Sequence, residues 1–379
     1  MPELGTFGSV RGVSGNGHSY RDQHFSGERY FRHELPCDPS SLVRWRQRIG
    51  EEGCEWLLAH SIEAAKRAGV VKRYSLDAVV LDTTVQPKAI AHPTDSRLLN
   101  RAREQLVAAA QDAGIALRQS YARVGQAAEH QAGRYAHAKQ YRRMQREIRK
   151  PRTWLGRVIR DVQRKGGEIT GALKHKIEIA QRLHAQKRDS KNKLYALHAP
   201  EVECLAKGKA RTPHEFGVKV SVAVTAKEGL VVGMRSMPGN PYDGHTVDSQ
   251  LEQVGILTGH TPKIALADRG YRGVEPLAGT RLLISHTRRL PKALKKLLKR
   301  RQVVEPMIGH MKADGLLGKN WLKGTEGDAL HAILCGAGHN LRMILRHLRV
   351  LCLAFVAWIA PTICALLAPI RPTPSPAAG

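Results

Sequence analysis

Acidic side chains are scarce in this chain. Only 33 Asp and Glu stand against 61 Lys and Arg in 379 residues, a formal net charge of +28. That surplus does not choose a fold, but it selects a polyanionic partner, and nucleic acid is the commonest one. Aromatics are also few, at 5%. That is too few for a base-stacking RNA platform, so contacts to the phosphate backbone are expected to carry the binding. The six cysteines (Cys37, Cys54, Cys204, Cys335, Cys352, Cys364) include no C-x-x-C pair. This excludes a zinc ribbon and a disulfide scaffold and suits the reducing cytoplasm. Residues 1–27 are rich in Gly and Ser without an apolar core, so no signal peptide is expected and the start reads as disordered. A long uncharged run occurs once, from Val350 to Ile370. It is long enough to span a bilayer. The expectation is instead an apolar and Pro-rich tail, 349–379, packed on the core and interrupted at Pro361; membrane insertion is not expected.

The length suits two or three domains with ample chain for a core. A helical N-terminal segment is expected over 28–75. Its first helix is capped at Asp38-Pro39-Ser40 and stops at Gly50, and its second has an apolar face at Trp56, Leu57, Ile62 and Ala65. Val-rich "DAVVLDTTV" (77–85) predicts a buried strand ended by Asp82. From 97 to 200 the pattern turns helical and carries 24 Lys and Arg against 8 Asp and Glu, a net +16. This predicts a large basic helical insertion after the first strand. Its face of Arg142, Arg143, Arg146, Arg149, Arg157 and Arg160 is a candidate DNA surface. Strands are predicted again at 214–226 and 230–237, joined as a hairpin, and at 263–268 and 280–285. A helix is expected at 244–257, one long basic helix from Pro291 to Gly315, and a final helical pair over 328–348. The fold class is α/β, a mixed sheet with flanking helices.

Three acids stand out in this layout: Asp82 and Asp268 after predicted strands, and Glu305 within the basic helix. Taken singly, each is as readily a capping or locally paired residue. Together they suit phosphodiester chemistry. Hard carboxylates hold divalent cations, which activate an attacking oxygen and stabilise the leaving one.

Several stretches make the chain resemble the DDE transposases of bacterial insertion sequences, in the insertion-sequence-five-like group of the four/five-type family. They are "LDTTVQPKAIAHPTDSRLL" (81–99), "RQSYARVGQ" (118–126), "RTPHEFGVKVSVAVT" (211–225), "PGNPYDGHT" (238–246), "ALADRGYRG" (265–273) and "VVEPMIGHMK" (303–312). The family's first signature falls on Asp82-Thr83-Thr84, its second on Asp268, Gly270 and Tyr271, and its third on Arg301, Glu305 and Lys312. The resemblance implies a ribonuclease H-like catalytic domain over 76–348, in which Asp82, Asp268 and Glu305 hold two Mg²⁺ ions, with Mn²⁺ as a substitute. Arg301 and Lys312 would contact phosphates, and Tyr271 would position DNA. It implies cleavage at transposon ends and strand transfer to target DNA. The partners would be double-stranded DNA bearing terminal inverted repeats and other copies of the chain when DNA-bound, at the nucleoid. Two departures are visible. Leu298 replaces the Tyr that usually opens the third signature, and the family pattern is joined only near Glu28, without the longer N-terminal helical region. The alternative expectation is therefore a truncated, non-catalytic DNA-binding remnant.

Overall fold

In this computed structural model residues 38–166, 171–206, 213–276, 279–285 and 290–367 are described. The expectations for 1–27 and for the tail beyond Leu367 fall outside them. The helices in chain order are α1 (Pro39–Arg67), α2 (Asp95–Asp112), α3 (Ala122–His137), α4 (Tyr141–Lys165), α5 (Gly171–Ala185), α6 (Val247–Thr258), α7 (Lys292–Lys299), α8 (Val304–Ala313) and α9 (Gly324–Leu367). The strands are β1 (Ala78–Pro87), β2 (Glu203–Ala206), β3 (His214–Thr225), β4 (Val231–Met237), β5 (Ile264–Ala267) and β6 (Arg281–Ile284).

The fold is mixed α/β. Its six-stranded sheet runs β2-β3-β1-β5-β6, with β4 also paired to β3. The β1–β3, β3–β4 and β2–β3 pairs are antiparallel, whereas β1–β5 and β5–β6 are parallel. Val-rich β1 and β3 are buried along almost their whole length, as central strands covered on both faces should be. Helix α1 packs against both α6 and α9, and all three pack against β4; α8 packs against β1.

Between β1 and β2 the chain leaves the sheet for the four helices α2–α5, which close around their own apolar cluster. Leu99, Leu106, Leu155 and Val162 are at most 1% exposed in it. Gly125 allows α3 to approach α2: a Cβ there would lie 2.5 Å from Asn100 Oδ1 and 2.8 Å from an Arg103 nitrogen. Arg103 is buried, donating to Asn100 Oδ1 and to the Ser120 carbonyl. The "RQSYARVGQ" stretch therefore serves helix packing.

Several expectations are corrected. Strand β1 does not end at Asp82 but continues to Pro87, because β3 pairs with it throughout. Strand β2 lies just past the helical insertion and was not foreseen; only four residues long, it gives too short a pattern to read. Gly50 kinks α1 (φ 59°) without ending it, and the buried stripe is Cys54, Leu58, Ile62 and Ala65, while Trp56 and Leu57 face solvent. The basic helix after Pro291 is two helices joined by a 3₁₀ turn at Arg300–Val303. Pro306 explains the break: it has no N–H, its ring crowds the carbonyl four residues back, and it is tolerated only in a first turn. Leu298, at the Tyr position, packs on the core. The expected pair over 328–348 is one helix, α9, which runs through Pro361 to Leu367. Its first half buries Leu330, Ile333 and Ile344, but Leu345, Leu348, Leu351, Phe355 and Trp358 are exposed. From Val350 to Trp358 the apolar run thus lies off the core. Among the described residues, α9 is a helix long and apolar enough to cross a membrane.

A buried polar cluster ties these parts together. Lys88 donates to Asp328 Oδ1 (2.7 Å) and lies 2.8 Å from Glu201 Oε1, with all three side chains almost fully buried. Asn320 and Gln86 also bond to Asp328.

Candidate active site and nucleic-acid interface

The parallel pairing of β1 with β5 brings the first two acids together. Val80 is opposite Leu266, and continuing that register sets Asp82 opposite Asp268. Asp268 follows the last residue of β5 and caps a 3₁₀ turn, Arg269–Tyr271, by accepting from the Gly270 N–H (2.7 Å). Asp82, half-buried within β1, accepts from the Thr83 N–H (2.8 Å).

A third carboxylate at this edge was not singled out from the sequence. Asp243 opens the 3₁₀ turn before α6, inside the "PGNPYDGHT" stretch. Its Oδ1 accepts from the Thr83 hydroxyl (3.0 Å) and the Lys219 ammonium (2.9 Å). Its Oδ2 faces Gly270, where a Cβ would lie 3.0 Å from it and 2.9 Å from Asp268 Oδ1. A side chain there would press on both carboxylates. The Tyr242 hydroxyl, donating to the Arg272 carbonyl, holds the two motif loops together. The stretch itself was visible in the sequence, but nothing in it marked Asp243 as facing another acid.

Tyr271 does not stand where DNA could meet it. It is 1% exposed, so the expected role in positioning DNA is corrected to a core position beneath the acids. Burial pushes its phenol far above the ordinary range, and Asp82, Asp243 and Asp268 add to the rise. The hydroxyl makes no hydrogen bond of good geometry, although the Thr246 side chain stands near enough to ease the shift slightly.

Glu305 lies on α8, which packs against β1. Its side chain is 65% exposed, and its Oε1 is 3.9 Å from an Arg301 nitrogen. Val304 and Met311 anchor the helix in the core, leaving Glu305 toward solvent. Lys312, on the same helix, is 3.9 Å from Glu215 Oε2. Among the described residues no three His, Cys, Asp or Glu side chains are gathered closely enough to hold a metal ion. Asp82, Asp243 and Asp268 surround Tyr271 instead, and Glu305 lies on a separate helix. This suits Mg²⁺, which commonly takes one or two carboxylates and completes its shell with water and substrate phosphate. The buried Tyr271 hydroxyl, which makes no well-formed hydrogen bond among the described residues, and the cradle at Gly270 also fit a hydrated cation at this edge.

The basic insertion presents an ordered charged face. On α4, Arg142, Arg146, Arg149, Arg157, Arg160 and Arg164 follow one another at spacings of three or four residues, interrupted only by Thr153, and all are exposed. They form one stripe about 33 Å long at 1.5 Å per residue. Ile148, Leu155, Val158 and Val162 hold the opposite face in the insertion core. Arg143 lies off this stripe, bonded to Gln140 with its guanidinium 6.0 Å from the Tyr135 ring centroid. Of the six arginines expected to form the face, five belong to the stripe and Arg143 flanks it.

No family model matches the sequence. No solved structure matches it. Over 119 residues the chain is 53% identical to an uncharacterized protein, ORF8 in the nfe locus of Rhizobium meliloti. That stretch is 31% of this chain and 58% of the relative, so the chain spans less than two thirds of the protein it matches.

Proposed function

We propose that the chain is an insertion-sequence DDE transposase, cleaving DNA at transposon ends and joining the freed ends to target DNA. The observation that carries this reading is the parallel pairing of β1 with β5; continued two residues beyond Val80 and Leu266, that register would bring Asp82 beside Asp268. The strand order supports a ribonuclease H-like domain. Central β1 pairs antiparallel with β3, which pairs antiparallel with β4, on one side, and β5 and β6 run parallel to it on the other.

Each group has a task. Asp82, Asp268 and, from α8, Glu305 hold divalent cations together with the DNA phosphate. When bound, Mg²⁺ or Mn²⁺ supplies activation of the attacking oxygen and stabilisation of the leaving one. Arg301 and Lys312 flank Glu305 on the helical face and bind the phosphates beside the cut. The α4 stripe holds the backbone of duplex DNA further along. Carboxylates beside an anionic backbone repel it unless cations intervene, so DNA and metal bind with mutual support. The partners are terminal-repeat DNA, target DNA and further copies of the chain, in the cytoplasm at the nucleoid.

The test is a nicking assay on supercoiled DNA carrying candidate terminal repeats, with and without Mg²⁺, beside a gel-shift titration. Metal-dependent nicking lost in Asp82→Asn supports the reading. Salt-sensitive binding with no nicking by the unmodified protein overturns it in favour of the non-catalytic remnant. The exposed Glu305, outside the cluster around Tyr271, is the observation that favours that second reading.

A further inference from the structure

We infer that Asp243 and Asp268 together seat one divalent cation, which makes Asp243 a metal-contacting residue outside the three-acid signature. This deepens the transposase reading and rests on it for the purpose of the metal.

The argument begins with proximity. One Asp243 oxygen and one Asp268 oxygen each approach within 3.0 Å of the same point over Gly270. The two carboxylates are therefore within about 6 Å, close enough for like charges to oppose one another. Lys219 neutralises Asp243 from one side only, at Oδ1, where Thr83 also donates. The other oxygen, Oδ2, is left turned toward Asp268. Among the described residues the Asp268 carboxylate accepts only from the Gly270 N–H and has no cation of its own. Two carboxylates held side by side, one of them without a cationic partner, are a seat for a hard cation that tolerates water in its shell.

Tyr271 is an independent sign. Its phenol is buried beneath these carboxylates, and its hydroxyl has no hydrogen-bond partner of good geometry. Buried hydroxyls are normally satisfied. A hydrated cation in the seat brings water to a hydroxyl that the described residues leave without a well-formed hydrogen bond. The fold also invests in holding the seat in place. Tyr242 bonds to the Arg272 carbonyl, and Gly244 lets its loop close on Val274, so that the segments bearing Asp243 and Asp268 are packed together.

The test uses the full chain without DNA and titrates Mn²⁺ by calorimetry. Asp243→Asn keeps the shape of the side chain and removes its charge. Because that leaves the Lys219 ammonium without its carboxylate, the same substitution is also made with Lys219→Met, which removes both charges together. Circular dichroism in EDTA checks the fold of each. The expected result is Mn²⁺ affinity at least ten-fold weaker in Asp243→Asn, in the double variant and in Asp268→Asn. Lys219→Met alone should bind as tightly as the unmodified protein or more tightly. Unchanged affinity in either folded Asp243 variant overturns the inference, as does an unmodified protein that binds no Mn²⁺. Should Mn²⁺ bind through Asp243 while the unmodified protein never nicks DNA, the seat stands and the transposase reading falls.

Discussion

Thr83 and Asp243 are 160 residues apart in the chain and joined by a 3.0 Å hydrogen bond. The bond links the strand that carries Asp82 to the turn that faces Asp268. Thr83→Val keeps the β-branched shape and removes the donor. The expected loss is about 1 kcal/mol of stability, the ordinary net value of one hydrogen bond. Urea unfolding measures it. A loss near zero would mean that Lys219 alone holds Asp243.

Glu305→Gln is expected to reduce Mg²⁺-dependent nicking at least about 100-fold, since the amide lacks the charge a hard cation requires. DNA binding should be unchanged or tighter, because a negative charge beside Arg301 is removed. The side chain is largely exposed, so the melting temperature should hold. Gel shift, nicking and thermal unfolding of the same preparation check all three. A variant that cuts normally would reduce Glu305 to a surface acid.

Replacing Arg142, Arg146 and Arg149 together with Gln should weaken DNA binding whatever the sequence. It should also lower the slope of log affinity against log salt by about 2 to 3, if each arginine meets one phosphate. Arg143→Gln, off the stripe, should change that slope much less. Equal effects from both would show that the whole helix surface, not one face, meets DNA.

Lys88→Met leaves Asp328 and Glu201 buried without their common cation. Removing one partner of a buried ion pair costs about 3–5 kcal/mol. Chemical unfolding should show a loss of that size. Adding Asp328→Asn to Lys88→Met should recover part of it, because fewer uncompensated charges remain.

His339 is 4% exposed on α9, and among the described residues its Nε2 makes no hydrogen bond. Burial, helped by Arg342, lowers its pKa from 6.5 to about 4. The folded state therefore binds the proton less readily than the unfolded one. The stability present above pH 6.5 is lost as the pH falls toward 4. From this group alone the loss between pH 7 and pH 5 is about 2 kcal/mol. His339→Gln should flatten that part of the profile in urea unfolding at the two pH values. His331, also buried and lowered, keeps some of the slope.

What could be read from the sequence was whatever local pattern controls. Alternating and continuous Val runs gave β1, β3 and β4; the lopsided charge gave a basic helical insertion; and the order of acids gave Asp82, Asp268 and Glu305 as candidates. The strand and charge signals survive because strand burial and charge density belong to contiguous residues. Tertiary structure decided the rest. Whether Tyr271 meets solvent depends on how the turn after β5 folds inward, and its sequence neighbours do not record that. That Asp243 faces Asp268 follows from two loops meeting over Gly270, a contact between segments 25 residues apart along the chain. The apolar run after Val350 looked like core because composition reports hydrophobicity and not proximity. Along α9 its side chains from Val350 to Trp358 are exposed among the described residues. The periodicity of a sequence tells a side chain which face of its own element it occupies; only the packing of elements against one another determines what that face meets.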